Sequence, residues 1–134
     1  MPTRARRTDK PIILVVDDDH DARWIYAMYL RSRGCRVFTA GDGRSAVEKA
    51  TALTPDLIVM DLAMPKVDGW EAIRRLEQSS WTRDIPVVAL SAVPASRDTA
   101  FEAGCDAYLA KPCDPGVLWT QVQALLHMPR HTMS

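Results

Sequence analysis

The chain has 134 residues, no formal net charge at pH 7, and 47% hydrophobic and 25% charged residues, the proportions of one globular domain able to bury a core without disulfide or zinc staples. Charge is uneven, because residues 1–10 carry Arg4, Arg6, Arg7 and Lys10 against Asp9 alone; this predicts a basic, disordered arm and a mildly acidic body, unlike the basic face of a nucleic-acid-binding domain. No apolar run approaches the roughly 20 residues of a membrane span, the basic N-terminus is not followed by a signal-peptide pattern, and Cys35, Cys105 and Cys113 lack C-x-x-C spacing, reading as reduced thiols of a cytoplasmic protein.

The first predicted element is a strand over residues 12–16, IILVV, opened by Pro11 and closed by Asp17, Asp18 and Asp19. A helix is predicted over residues 20–33, with Ala22, Ile25, Tyr29 and Ser32 or Arg33 in register, Leu30 beside them, and Gly34 as the stop. A weaker apolar run at 35–39 precedes a helix over 43–53 whose face is Ala46, Val47, Ala50 and Leu53. Residues 57–60 form the third strand run and end at Asp61. Met64-Pro65 and Asp68-Gly69 supply turn chemistry before a helix over 69–78 carrying Ala72, Ile73 and Leu76. Pro86 opens the run 87–90, which ends at Ser91, and residues 108–110 lead to Lys111-Pro112. The last helix, 114–127, shows Val117, Leu118, Gln121, Val122, Leu125 and Leu126, with Asp114 as N-cap and Pro115 at the first position.

Short, nearly continuous apolar runs read as strands buried on both faces. Five alternations of strand and helix mean βαβ units with right-handed crossovers and a parallel sheet covered by helices on both faces. The domain is expected over residues 11–127, with a short tail at 128–134 and no second domain. In such a sheet the carboxyl ends of all strands share one edge, where ligands bind. Three adjacent carboxylates repel one another unless a cation compensates, so the cluster at Asp17–Asp19 together with Asp61, without His or Cys, suits a hard cation such as Mg2+. A carboxylate beside a metal can attack phosphorus, and Lys111 with Ser91 could neutralise or hydrogen-bond the phosphoryl oxygens. Asp61, remote in sequence from the cluster, is the better candidate for the modified group.

The stretches ILVVDDD (13–19), DLIVMDLAMPKVDGW (56–70), VVALSA (87–92) and AGCDAYLAKP (103–112), in this order and spacing, resemble the response-regulator receiver domain of two-component signalling, the CheY-like family, over nearly the whole chain. The resemblance implies a flavodoxin-like (βα)5 fold, doubly wound, with a five-stranded parallel sheet of order 2-1-3-4-5. It implies that Asp61 accepts a phosphoryl group from a histidine kinase or phosphotransfer protein. Asp17, Asp18, Asp61 and the backbone carbonyl of Ala63 would hold Mg2+, with Mn2+ as a possible substitute. Ser91 and Lys111 would contact the phosphoryl group, Tyr108 would turn inward as Ser91 moves, and the Lys111–Pro112 bond would be cis. The output would be a stand-alone switch acting on a downstream protein through helix 4, strand 5 and helix 5, without direct DNA binding and away from membranes.

The chain departs from that pattern in places. The step from Ser91 to Tyr108 is about two residues short and Pro94 sits early in it, so the fourth helix is expected to be short or late, within about 95–103. Ala63 and Val93, two places after Asp61 and Ser91, are apolar, which predicts that self-dephosphorylation is not unusually fast. Asp19 reads as the cap of the first helix, and His20 as a solvated helix-start residue. Trp24, Trp70, Trp81 and Trp119 read as packing or surface aromatics. Two alternatives are a small aspartyl-phosphate phosphohydrolase using Asp17 as nucleophile and Asp19 as acid/base, and a degenerate receiver that works without phosphorylation. Likeness to FMN-binding flavodoxin-like proteins carries no function by itself.

Overall fold

The fold, given by a computed structural model, is described for residues 10–62, 69–92 and 97–128. Five strands, β1 (Ile12–Val16), β2 (Arg36–Ala40), β3 (Leu57–Asp61), β4 (Val87–Ser91) and β5 (Ala107–Ala110), alternate with five helices, α1 (His20–Ser32), α2 (Gly43–Leu53), α3 (Gly69–Gln78), α4 (Arg97–Ala103) and α5 (Pro115–Leu126). The strands form one sheet of order β2-β1-β3-β4-β5, with every neighbouring pair parallel. All five residues of β1, β3 and β4 are buried, as central strands covered on both faces must be.

Alternation along the strands separates two cores. Leu14, Val16, Ile58, Met60, Val87 and Ala89 face α2, α3 and α4 through Ala46, Ala50, Ala72, Ile73, Leu76 and Ala100. Ile13, Val15, Leu57, Val59, Val88 and Leu90 face α1 and α5 through Tyr26, Ala27, Leu30, Leu118, Val122 and Leu125. The doubly wound arrangement read from the sequence is therefore the one observed.

Local chemistry sets the element ends. The carboxylate of Asp19 caps α1 by accepting from the Asp21 and Ala22 amides, that of Asp42 caps α2 by accepting from Ser45, and that of Asp114 caps α5 by accepting from Gly116. Gly34 follows α1 at φ 95°, a left-handed conformation that glycine adopts without Cβ strain. At the opposite edge of the sheet from the strand ends, Asp56 and Asp106 play matching parts. The Asp56 amide donates to the Ile12 carbonyl at 2.7 Å while its carboxylate accepts from the Ile12 amide at 2.8 Å. The Asp106 amide donates to the Val87 carbonyl at 2.8 Å while its carboxylate accepts from the Val87 amide at 2.9 Å. Each aspartate thus ties the start of its own strand to the start of the neighbouring one.

Two sequence expectations need correction. The buried stripe of α1 is Tyr26, Ala27 and Leu30, whereas Ile25, expected inward, is 48% exposed. Residues 24–30, WIYAMYL, are apolar all the way round the helix, so spacing alone could not fix its phase. Tyr26 settles it by packing between sheet and α5, its hydroxyl donating to the Cys113 carbonyl at 3.4 Å. Val117 of α5, also expected inward, is exposed. The short fourth helix is observed: α4 has seven residues.

Candidate functional site

The carboxyl edge of the sheet collects the polar residues that the sequence placed at strand ends. Asp17 follows β1, Asp61 closes β3, Ser91 closes β4 and Lys111 follows β5. The ladder pairs Val16 with Met60, Asp61 with Leu90, and Ser91 with Ala110, so residues from four separate strands arrive at one level. Asp17, Asp61 and Ser91 are buried, and Asp18 is exposed.

Lys111 joins two of the carboxylates. Its Nζ lies 3.0 Å from Asp17 Oδ2 and 3.4 Å from Asp61 Oδ2. Burial opposes charge on this ammonium, but the hydrogen bond and charge of Asp17, reinforced by Asp61, outweigh it and raise the pKa above its ordinary value. Lys111 therefore stays protonated at neutral pH, balancing part of the charge of the two carboxylates it touches. Asp17, Asp18 and Asp61 each bring a carboxylate oxygen within 4.8 Å of the others. Oxygen-only donors at this spacing, with Asp18 on the open side, fit a hard divalent cation.

The surrounding backbone holds these groups in place. Asp17 Oδ1 accepts from the Asp19 amide at 2.9 Å, and the Asp17 amide donates to the Ala40 carbonyl at 3.1 Å. Gly69, which the sequence offered only as turn chemistry, opens α3 directly against the end of β3. A Cβ there would lie 2.3 Å from the Asp61 carbonyl oxygen and 2.6 Å from Leu62 Cα, so only glycine lets α3 approach the strand that carries Asp61. Asp19 stands apart from the carboxylate group, its side chain committed to capping α1. The Lys111–Pro112 bond is cis.

Tyr108, half-buried, packs against the core beneath α2, α3 and α4. It pairs in register with Ala89, and Ser91 lies two residues on, hence on the same face of the sheet. His20 is exposed beside Asp21, Trp24 and Trp81 are exposed, and Trp70 and Trp119 are partly buried against the cores. Ala63, Met64, Pro65, Asp68, Val93 and Pro94, together with the arm before Lys10, lie outside the described residues. Sequence reasoning passed over Arg23, whose Nη1 donates to the Asp17 carbonyl at 2.8 Å; an arginine near the start of a helix gives no signal that it turns back toward the preceding loop.

Comparison with known proteins bears on this geometry. Residues 13–123 match the profile of the response regulator receiver domain. The chain is 40% identical over 118 residues to the DNA-binding dual master transcriptional regulator RpaA of Synechocystis, covering 87% of this chain and 49% of the relative. It is 42% identical to the transcriptional regulatory protein PrrA of Mycobacterium leprae, covering 87% and 50%. The chain thus spans about half the length of these curated relatives, and they lend no support to the expectation of a stand-alone protein. Among solved structures, the chemotaxis protein CheY4 of Vibrio cholerae superposes with a TM-score of 0.81 at 29% identity, covering 87% of this chain and 98% of its own. The receiver domain of the sensor histidine kinase PA1611 of Pseudomonas aeruginosa, with a magnesium ion coordinated in its active-site cleft, gives 0.82 at 32% identity, covering 89% and 99%. Among the described residues, no helix is long and apolar enough to cross a membrane.

Proposed function

This chain belongs to the response regulator receiver domain family, and we propose on that premise that it is a phosphorylation switch in which Asp61 is the acceptor. What carries the reading is the convergence of three carboxylates and one ammonium at the carboxyl edge of the sheet, with Lys111 between Asp17 and Asp61. The donor is a phosphohistidine of a histidine kinase or phosphotransfer protein. A carboxylate oxygen of Asp61 attacks its phosphorus, the P–N bond breaks, and the imidazole nitrogen keeps the electron pair and takes a proton from solvent. An acyl phosphate on Asp61 and a neutral histidine result.

Mg2+, or Mn2+ in its place, would be held by Asp17, Asp18 and Asp61 with the backbone carbonyl of Ala63, and would supply charge neutralisation for the phosphoryl oxygens. Lys111, already protonated, neutralises another of these oxygens, and the Ser91 hydroxyl donates to a third. Moving Ser91 toward the phosphate vacates space on the face that it shares with Tyr108, and Tyr108 turns inward. That movement changes the surface of α4, β5 and α5, which binds a protein partner in the cytoplasm. A mildly acidic body favours such a partner over DNA. Against the phosphohydrolase alternative, Asp19 caps α1 through Oδ1 and stands outside the group of Asp17, Asp18 and Asp61.

The test is titration of the protein with acetyl phosphate or beryllofluoride in Mg2+, followed by tryptophan fluorescence and amide NMR. The wild type is expected to respond and Asp61→Asn to remain silent. An Asp61→Asn protein that responds like the wild type contradicts the reading.

A further inference from the structure

Asp18 is the exposed member of the carboxylate group and lies beyond the β1 ladder. Its direction depends on the peptide that joins it to Asp17, since a peptide unit is planar and moves as one body. On either side of that peptide a backbone amide is engaged close by: the Asp17 amide donates to the Ala40 carbonyl, and the Asp19 amide donates to the Asp17 carboxylate at Oδ1. The peptide's own carbonyl, that of Asp17, is held by a side chain instead, Arg23 Nη1 at 2.8 Å.

Two further facts make this contact unusual. Arg23 lies just after the first turn of α1, its amide donating to the Asp19 carbonyl at 3.0 Å, and the positive end of a helix disfavours a cation. The slot for the guanidinium is also shaped from outside α1. Gly41, which follows β2, faces it so closely that a Cβ would lie 2.9 Å from Arg23 Nη1.

We propose that Arg23 is a positioning residue for the metal site, fixing the Asp17–Asp18 peptide so that Asp18 is presented to the cation, with Gly41 keeping the slot open. The inference rests on the Mg2+ reading above. It makes a counter-intuitive demand, because a guanidinium near a cation site repels the cation. If charge alone mattered, removing Arg23 would tighten Mg2+ binding; if positioning matters more, removing it weakens binding.

The experiment is a Mg2+ titration of the full chain, read by amide NMR shifts of the 17–19 segment, with urea unfolding in parallel. The wild type should bind and Asp18→Asn should not. Arg23→Met should bind about tenfold more weakly, the scale found when a group that orients a metal ligand is lost. Gly41→Ala keeps every charge but displaces the guanidinium, and should weaken binding in the same direction, by less than the loss of Arg23. A merely structural role would lower the urea midpoint and leave the Kd of the folded protein unchanged. An Arg23→Met protein with equal or tighter Mg2+ affinity overturns the inference. Should that variant not fold, a Gly41→Ala protein with wild-type affinity overturns it alone. A wild type that binds no Mg2+ removes the metal reading, and the inference with it.

Discussion

Lys111 stands between two buried carboxylates and is itself only 20% exposed in its side chain. Its removal strands both of them, and breaking a buried pair typically costs about 3–5 kcal/mol. Lys111→Met is therefore expected to lower stability by that order in the presence of a chelator. Mg2+ should restore part of the loss, because a divalent cation can compensate the same carboxylates. Urea unfolding with and without Mg2+ checks this, and a midpoint equal to that of the wild type in chelator would contradict it. Ser91 and Lys111 alone would have passed for an ordinary strand-end hydroxyl and a surface lysine. The sequence made them readable because each stands at the end of an apolar run, and parallel strands share one carboxyl edge. Arg23 and Gly69 escaped because their importance lies in a long side chain's return path and in a close approach of backbones. Neither leaves a periodic trace.

The strands are held together at both ends, but by different devices. At the carboxyl edge the charges converge; at the amino edge Asp56 and Asp106 splice neighbouring strands through reciprocal hydrogen bonds. Asp56 is buried, so Asp56→Ala leaves the Ile12 amide short of an acceptor and should cost about 1–3 kcal/mol. Asp56→Asn, which keeps an acceptor oxygen, should recover most of that in a denaturant titration, and equal losses for the two variants would refute the splice. Both aspartates directly precede an apolar run, DLIVM and DAYLA, a signal available in the sequence but open to a plain turn reading. The strands themselves were clear because central parallel strands are apolar on both faces. The facing of α1 was not, since a helix apolar all round has no preferred side until α5 and the sheet are placed.

At the scale of the whole molecule, a thiol in the core beneath α2, α3 and α4 ties stability to alkaline pH. Burial, with help from Asp106 and Glu77, pushes the Cys105 thiol up to about 12 from 9.0. In that window the unfolded chain has released a proton that the folded chain still holds, so stability falls as pH rises, by up to about 1.4 kcal/mol per unit. Lys111 acts in the same direction at higher pH: its raised pKa contributes stability below its ordinary value of 10.5, and this is lost as pH rises through the raised value. Cys105→Ala should flatten the fall between pH 9 and 12, whatever it does to stability at neutral pH; an unchanged slope in urea midpoints would rule out the thiol as its source. The whole architecture also bears on function, since four strand ends deliver three carboxylates, a hydroxyl and an ammonium to one edge, the constellation on which the proposed phosphorylation of Asp61 rests. The most direct test is to treat the protein with acetyl phosphate and Mg2+, reduce any acyl phosphate with borohydride, and locate the resulting homoserine by peptide mass spectrometry. Homoserine at position 61, absent when Mg2+ is chelated, is the predicted result; homoserine at position 17 or 18, or none at all, would contradict it.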